Sequence, residues 1–188
     1  MGSFLDDAGR DGGIDVHLRA DHRHLAELLA GLDTAKPRER TEHLREFARE
    51  LVSHEVAEEL VVYPVVRRQS AEAARICDAR LGEQAEAERH LDKLGRLAPG
   101  TVEFEQELAQ LRVDVLEHAE LEEQSVLPLL AVLAGPDREM LARRYVRARS
   151  LAPTHPHPAA PDRPPGNVVI GPVAGLFDRL RDALGSGA

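Results

Sequence analysis

Two stretches of this chain repeat one pattern: they read HEVAEELVVYP at residues 54–64 and HAELEEQSVLP at residues 118–128. In each copy the His is followed by a Glu four residues later, by a second Glu five residues later and by a Pro ten residues later. Because an α-helix has about 3.6 residues per turn, residues four apart lie on the same face. Each copy therefore places an imidazole beside a carboxylate on one face of a predicted helix.

Both His and Glu pairs interrupt apolar helix faces. Apolar residues recur at alternating spacings of three and four, as in a packed helix, and His54 and Glu58 occupy two positions where this spacing would place apolar residues. His118 and Glu122 interrupt a second such series in the same way. The first series contains Leu44, Phe47, Leu51, Val61 and Val65, and the second contains Phe104, Leu108, Leu111, Val115 and Leu129. A buried carboxylate must be neutralised, paired or bound to a metal. A hydrogen-bonded core pair would explain one copy, and the matched second copy favours a metal site.

The other residues of the repeated pattern have different predicted places. Glu59 and Glu123 lie about 140° around the helix from their His at ~100° per residue, so we expect them to face solvent. Tyr63, nine residues after the first His, falls nearly opposite it by the same arithmetic. Pro64 and Pro128 each remove a backbone hydrogen bond, which predicts a helix kink just past each His and Glu pair.

Composition and periodicity predict an all-α protein that forms an up-down-up-down four-helix bundle. The 188 residues are 43% hydrophobic but only 3% aromatic, and helix formers dominate. Short connections between long amphipathic helices favour antiparallel neighbours. The expected helices span about 15–32, 37–68, 71–97 and 101–133, with Pro37 and Thr101 suited to helix starts and a fifth piece after Pro136.

We predict three parts along the chain: a bundle at 1–150, a Pro-rich linker at 151–172 and a short amphipathic C-terminal helix at 173–188. Six prolines fall between Pro153 and Pro165, which favours an extended linker. The polar face of the terminal helix carries balanced charge, which disfavours a membrane anchor. Docking on the bundle or a homo-oligomer contact would bury its apolar face.

Bulk properties exclude several classes of function. The net charge of −9, without a basic patch, argues against nucleic acid. No stretch approaches the ~20 apolar residues of a membrane span. The single cysteine, Cys77, excludes an internal disulfide and cysteine-based metal sites, and it fits a cytoplasmic location.

The candidate metal ligands combine nitrogen and oxygen donors, which suits iron, manganese or zinc rather than calcium or magnesium. His22 enters from the first helix at a depth similar to that of the repeated pairs. Two bridging carboxylates with about four imidazoles would hold two ions, with an oxo or hydroxo bridge and an open position at each. The candidates are His22, His54, Glu58, His118 and Glu122.

These motifs resemble the hemerythrin family, and specifically its bacterial HHE cation-binding members of actinobacterial type. The resemblance rests on Asp21-His22-Arg23, on His54-x-x-x-Glu58 with Tyr63-Pro64, and on His118-x-x-x-Glu122 with Leu127-Pro128, and it covers about residues 14–133. It implies a non-haem di-iron centre in a four-helix bundle. His22, His54 and His118 would be terminal ligands, and Glu58 and Glu122 would bridge the two ions.

The third helix departs from the family pattern, which expects a His there. Aligning the series that starts at His22 with the third helix puts Gln84 in the ligand position. His90 lies six residues further on, about 9 Å along the axis at ~1.5 Å per residue. Three alternatives stay open: a shifted register in which His90 binds, a ligand supplied by Glu83 or Glu86, or a vacant position.

The resemblance implies a protein that binds, senses or reduces a small diatomic or peroxide species (oxygen, nitric oxide or hydrogen peroxide), or that senses iron. Peroxidase-like or catalase-like di-iron activity is one form that turnover could take. The alternative is a structural or regulatory helical module with one metal or none, which acts through its C-terminal tail. Oxygen storage ranks last, because Gln84 replaces an expected imidazole.

Overall fold

The computed structural model describes residues 12–151 and shows an all-α bundle without strands in that range, as the sequence predicts. The helical elements are α1 (Ile14–Thr34), α2 (Pro37–Ala57), a π-helical segment (Glu58–Val62), α3 (Tyr63–Arg67), α4 (Ala71–Leu94), α5 (Val102–Ser125), α6 (Leu127–Ala131) and α7 (Gly135–Leu151). The predicted Pro-rich linker, apart from its first residue, and the predicted terminal helix lie outside the described residues.

Short polar side chains begin the two long helices of the second half. The Ser70 hydroxyl accepts a hydrogen bond from the Ala73 amide at 3.0 Å, which caps α4. The Thr101 hydroxyl accepts from the Phe104 amide at 3.2 Å, so the predicted cap of α5 is confirmed. Gly100 precedes this cap with φ of 89°, a conformation that glycine adopts without steric cost.

Both copies of the repeated pattern end in a helix interruption, as their prolines predict, but the interruptions differ. In the first copy the helix widens at Glu58, where the Tyr63 amide donates to the Glu58 carbonyl five residues back. In the second copy α5 ends at Ser125, and α6 begins at Leu127 with Pro128 in its first turn. The two proline-containing segments therefore continue the predicted second and fourth helices in altered register.

The hydrophobic core forms two clusters with a polar layer between them. One cluster joins α1, α2, α4 and α5, and its largest side chains include Phe47 and Phe104. The other joins α1, α3, α4, α6 and α7, and it includes Tyr63 and Tyr145. The predicted fifth helix is confirmed as α7, which packs on α1, α2 and the π-helical segment. None of the described helices has the length and apolar character needed to cross a membrane.

Candidate metal centre

Four side chains from four helical elements meet in the polar layer between the two core clusters. They are His22 from α1, His54 from α2, Glu58 from the π-helical segment and Glu122 from α5. All four are buried, and one ligand atom from each lies within 4.8 Å of the others. His22 Nε2 lies 3.1 Å from Glu122 Oε2, and His54 Nε2 lies 3.0 Å from Glu58 Oε1.

His118 lies beside this group, although its nitrogen atoms are outside the 4.8 Å set. Its ring is buried, and it lines the same cavity as His22, His54 and Gln84. The fifth residue that the sequence pattern singled out is therefore a neighbour of the other four in space.

Several buried polar atoms in this layer have no hydrogen-bond partner. Leaving such an atom unsatisfied costs about 1–3 kcal/mol in a folded protein. His54 Nε2 and Glu58 Oε1 approach each other, but neither makes a hydrogen bond. A bound cation would use these lone pairs, so the residues fit a metal ion. The unpartnered atoms are His54 Nε2, Glu58 Oε1, Gln84 Oε1, His118 Nε2 and Glu122 Oε1.

The other ring nitrogen of each histidine has a partner on the outer side of the layer. When Nδ1–H donates to an acceptor, the lone pair of a neutral imidazole is at Nε2, which can then bind a metal. All three imidazoles thus have the arrangement of a metal-binding histidine whose other ring nitrogen is held by a hydrogen bond. The partners are Glu123 Oε1 for His22 (3.0 Å), the Tyr145 hydroxyl for His54 (2.7 Å) and Glu83 Oε2 for His118 (3.0 Å).

Glu123 and Tyr63 make contacts that counting regular helical rotation does not predict. Glu123 was expected to face solvent, but it pairs with His22 and with Arg19. Tyr63 was expected opposite the first His, but it is buried, and its hydroxyl lies 3.4 Å from Glu58 Oε2. Tyr63 follows the π-helical segment, which has more residues per turn than an α-helix, so counting ~100° per residue fails for it. Glu123 lies in the regular helix α5, and its contact comes from His22 on the neighbouring helix α1.

On α4, Gln84 occupies the position next to the cluster. Its Nε2 donates to Glu58 Oε2 at 2.7 Å and to the Tyr63 hydroxyl at 3.1 Å. The side chain therefore holds a carboxylate of the cluster and turns an unpartnered amide oxygen into the layer. The alignment with the first helix, which put Gln84 in this position, agrees with the geometry.

The other α4 candidates have partners elsewhere. His90 pairs through Nδ1 with Glu107 and through Nε2 with Asp114, the latter at 3.2 Å, so neither ring nitrogen is available to the cluster. Glu83 contacts the outer nitrogen of His118, and Glu86 pairs with Arg89 at the surface. From α4, the Gln84 side chain hydrogen-bonds directly to Glu58, a member of the four-residue cluster in the polar layer.

Comparison with known proteins agrees with this geometry. The sequence model of the hemerythrin HHE cation-binding domain matches residues 14–130. The chain belongs to the hemerythrin HHE family. An uncharacterized hemerythrin-like protein of Schizosaccharomyces pombe (strain 972) is 30% identical over an alignment of 174 positions, which covers 87% of this chain and 82% of that protein. The family assignment and the all-α bundle confirm the resemblance that the repeated pattern predicted.

A second relative is a DNA nickase of Nostoc sp. (strain PCC 7120), 27% identical over 143 residues. The match takes in 75% of this chain but only 40% of the nickase, so the chain spans less than half of that relative. No solved structure matches the chain.

The buried charges of this hemerythrin-like site are strongly coupled. Burial and the charge of Glu122 raise the pKa of Glu58. Burial would also raise the pKa of Glu122, but hydrogen bonds with His22 and Glu58 lower it to about 2. Burial would lower the pKa of His54, but the carboxylates of Glu58 and Asp21 raise it to about 10. Without a metal, His54 therefore carries a proton that a cation would have to displace.

A small cavity adjoins the cluster, and the space in which the centre of a water molecule could lie has a volume of about 10 Å³. That is room for about one water molecule. Its lining contains His22, Leu25, Leu51, His54, Glu55, Gln84, Ala87, Val115, Leu116, His118 and Ala119. A space of this size with mainly aliphatic walls admits only a very small ligand.

Proposed function

We propose that this hemerythrin-like protein is a dinuclear non-haem iron protein that binds, senses or reduces a small species such as oxygen, nitric oxide or hydrogen peroxide, or that senses iron. The observation that carries the proposal is the set of unpartnered imidazole and carboxylate atoms that face one another in the polar layer. Mixed nitrogen and oxygen donors suit iron, and manganese or zinc are the other candidates. The cavity beside them supports a ligand of a few atoms.

In this proposal each residue of the cluster has a defined role. His22, His54 and His118 would be terminal ligands, and Glu58 and Glu122 would be the carboxylates shared by the two ions. Iron would supply redox chemistry and an open coordination position. Gln84 holds Glu58 through its amide nitrogen, and the donor it would offer in place of an imidazole is only an amide oxygen. This poorer donor set makes oxygen storage the least favoured role.

One observation favours a simpler second candidate, a regulatory or structural module with a single metal. Within residues 12–151, only His22, His54, Glu58 and Glu122 have ligand atoms within 4.8 Å of one another, and four such donors suffice for one ion. In that case the ion would stabilise the bundle, and partners would bind the C-terminal segment. A contact between two copies of the chain through residues 173–188 stays a prediction.

The nickase relative raises the question of nucleic acid. We propose that this chain does not act on DNA, because its net charge of −9 opposes binding to a polyanion. The nickase has more than half of its length outside the matched region, and that part is available for its named activity. The cytoplasmic location stays a proposal that rests on the single cysteine.

Elemental analysis of protein purified from iron-rich medium tests the proposal. We expect about two irons per chain and an oxo-to-iron absorption band in the near ultraviolet. One ion per chain would favour the single-metal module, and zinc alone or no metal would contradict the di-iron proposal. Glu122→Ala should abolish metal binding, whereas His24→Ala, which changes a histidine of α1 outside the cluster, should leave it intact.

A further inference from the structure

One histidine of the cluster takes its outer partner from outside the four-helix bundle. The Tyr145 hydroxyl, on α7, lies 2.7 Å from His54 Nδ1 and 2.7 Å from Asp21 Oδ2. Tyr145 is only 1% exposed. The helix that carries it starts at Gly135, beyond the residues 14–130 that match the family model. The corresponding partners of His22 and His118 lie on α5 and α4, within the bundle.

The direction of these hydrogen bonds follows from the proton count. A phenol has one proton, and a carboxylate only accepts. Tyr145 therefore donates to Asp21, and its oxygen accepts from the Nδ1–H group of His54. The Nε2 atom of His54 is then the atom that faces Glu58, at 3.0 Å from Oε1. When a cation displaces the proton at Nε2, the proton at Nδ1 stays.

An arginine fixes the carboxylate at the end of this chain of hydrogen bonds. Arg149 Nη1 pairs with Asp21, while its Nη2 donates to Glu50 Oε2 at 2.7 Å and to Ser53 Oγ at 3.2 Å. These contacts fasten the last turn of α7 to α1 and to the turn of α2 that precedes His54. Asp21 is thus kept as an acceptor, and the Tyr145 hydroxyl cannot turn its proton toward His54 without losing that acceptor.

We propose that Tyr145 is a positioning residue of the metal centre: together with Asp21 it holds His54 with Nδ1 protonated and Nε2 turned to the metal, so that α7 contributes to metal affinity. This inference rests on the proposed metal centre. It assigns a role to a helix outside the matched family region, and it makes the docking of α7 and metal binding mutually dependent.

The first test is Tyr145→Phe, which removes one hydroxyl and keeps the ring that packs in the core. Affinity for Co²⁺ and for Fe²⁺, measured by competition with a chelator, should fall about tenfold or more, because the hydrogen-bond partners of metal-bound histidines contribute on the order of 10–100-fold to affinity. The matched control is Arg147→Met, an exposed change on the same helix, which should leave affinity unchanged. Unchanged affinity in Tyr145→Phe would overturn the inference.

A tautomer readout separates positioning from a general loss of packing. In zinc-loaded, ¹⁵N-labelled protein, His54 should show an Nδ1–H resonance that shifts or disappears in Tyr145→Phe. Asp21→Asn should act differently, because the amide can donate to the phenol, which then donates to Nδ1 and leaves the proton on Nε2. Its metal affinity should fall at least as far as that of Tyr145→Phe. A His54 resonance that is the same in all three proteins would refute the positioning role.

A double variant tests whether the two residues act as one unit. Tyr145→Phe combined with Asp21→Asn should lose no more affinity than the worse single variant, since both act through the same nitrogen. Additive losses would contradict the chain of hydrogen bonds. If Tyr145→Phe does not fold, Asp21→Asn alone decides, by its affinity and its His54 tautomer. Wild-type protein that binds no metal would instead overturn the proposed function, and this inference with it.

Discussion

The two copies of the repeated pattern have the same spacing but different surroundings. In the first copy His54 lies 3.0 Å from Glu58 of its own helix. In the second copy Glu122 pairs with His22 of α1 at 3.1 Å, and His118 lies to one side with an unpartnered Nε2. An identical spacing therefore produces a compact His and Glu pair in one place and two separated ligands in the other.

The outer contacts differ as well. His54 reaches a phenol on α7, whereas His118 reaches the Glu83 carboxylate on α4. The first copy widens into a π-helical segment at Glu58, and the second keeps α-helical geometry through Glu122. The comparison teaches that the spacing in the sequence determines the helix face on which a ligand lies. The neighbouring helices determine its hydrogen-bond partner and hence its role.

The largest expected difference between the copies is in metal content. His54→Ala should remove all bound metal, because it deletes one of the four atoms that converge within 4.8 Å. His118→Ala should leave about one ion per chain, because that four-residue cluster stays complete. Elemental analysis after desalting measures both. Equal loss of metal in the two variants would show that the two copies are equivalent and that the four-residue cluster does not bind an ion without His118.

The copies should also differ in how pH affects the stability of the metal-free protein. The pKa of His54 is raised from 6.5 to about 10, so the stability that its protonation contributes is complete below pH 6.5 and is lost as the pH rises through about 10. The pKa of Glu122 is lowered from 4.5 to about 2, so its contribution is present above pH 4.5 and is lost as the pH falls toward 2.

Melting curves by circular dichroism across both ranges would test this division. His54→Gln should flatten the decline on the alkaline side only, and Glu122→Gln should flatten it on the acid side only. Bound metal should weaken the alkaline decline, because the cation replaces the proton at His54. If the melting temperature of the His54→Gln protein fell at alkaline pH as much as that of the wild type, groups other than His54 would cause the fall.

A smaller effect is expected from the amide that supports only the first copy. Gln84→Leu removes the 2.7 Å hydrogen bond to Glu58 Oε2 and should destabilise the metal-free protein by about 1 kcal/mol, the contribution of one hydrogen bond, because the Tyr63 hydroxyl stays 3.4 Å from the same acceptor. Gln124→Leu is the control, because that exposed amide bonds to Glu120 at the surface and should change stability by about 0.5 kcal/mol or less. Denaturant unfolding measures both, and equal changes would argue against a buried role for Gln84.

The smallest effect is expected at the histidine of α4 that lies outside the cluster. His90→Gln removes the ion pairs with Glu107 and Asp114, which are partly solvated, and should cost about 1 kcal/mol or less. Metal content should not change. A loss of metal in this variant would restore His90 as a ligand and would require a shifted register for α4.

Much of the bundle could be predicted from residue patterns. The apolar periodicity located the four long helices, and Thr101 and the two prolines marked a start and two interruptions. The exceptions came from local geometry that a regular period does not contain. Tyr63 turned inward because the π-helical segment changes the rotation per residue, and Glu123 turned toward His22 because a neighbouring helix lies there.

The sequence by itself determined the all-α class, the family and the pairing of each His with a Glu on one helix face, because these depend on short-range spacing along a regular helix. Only the tertiary structure decided that His118 lies beside the four-residue cluster, that Gln84 holds Glu58, and that α7 brings Tyr145 to His54. Such contacts join residues far apart in the chain. Their geometry depends on how the helices pack, which no local period encodes.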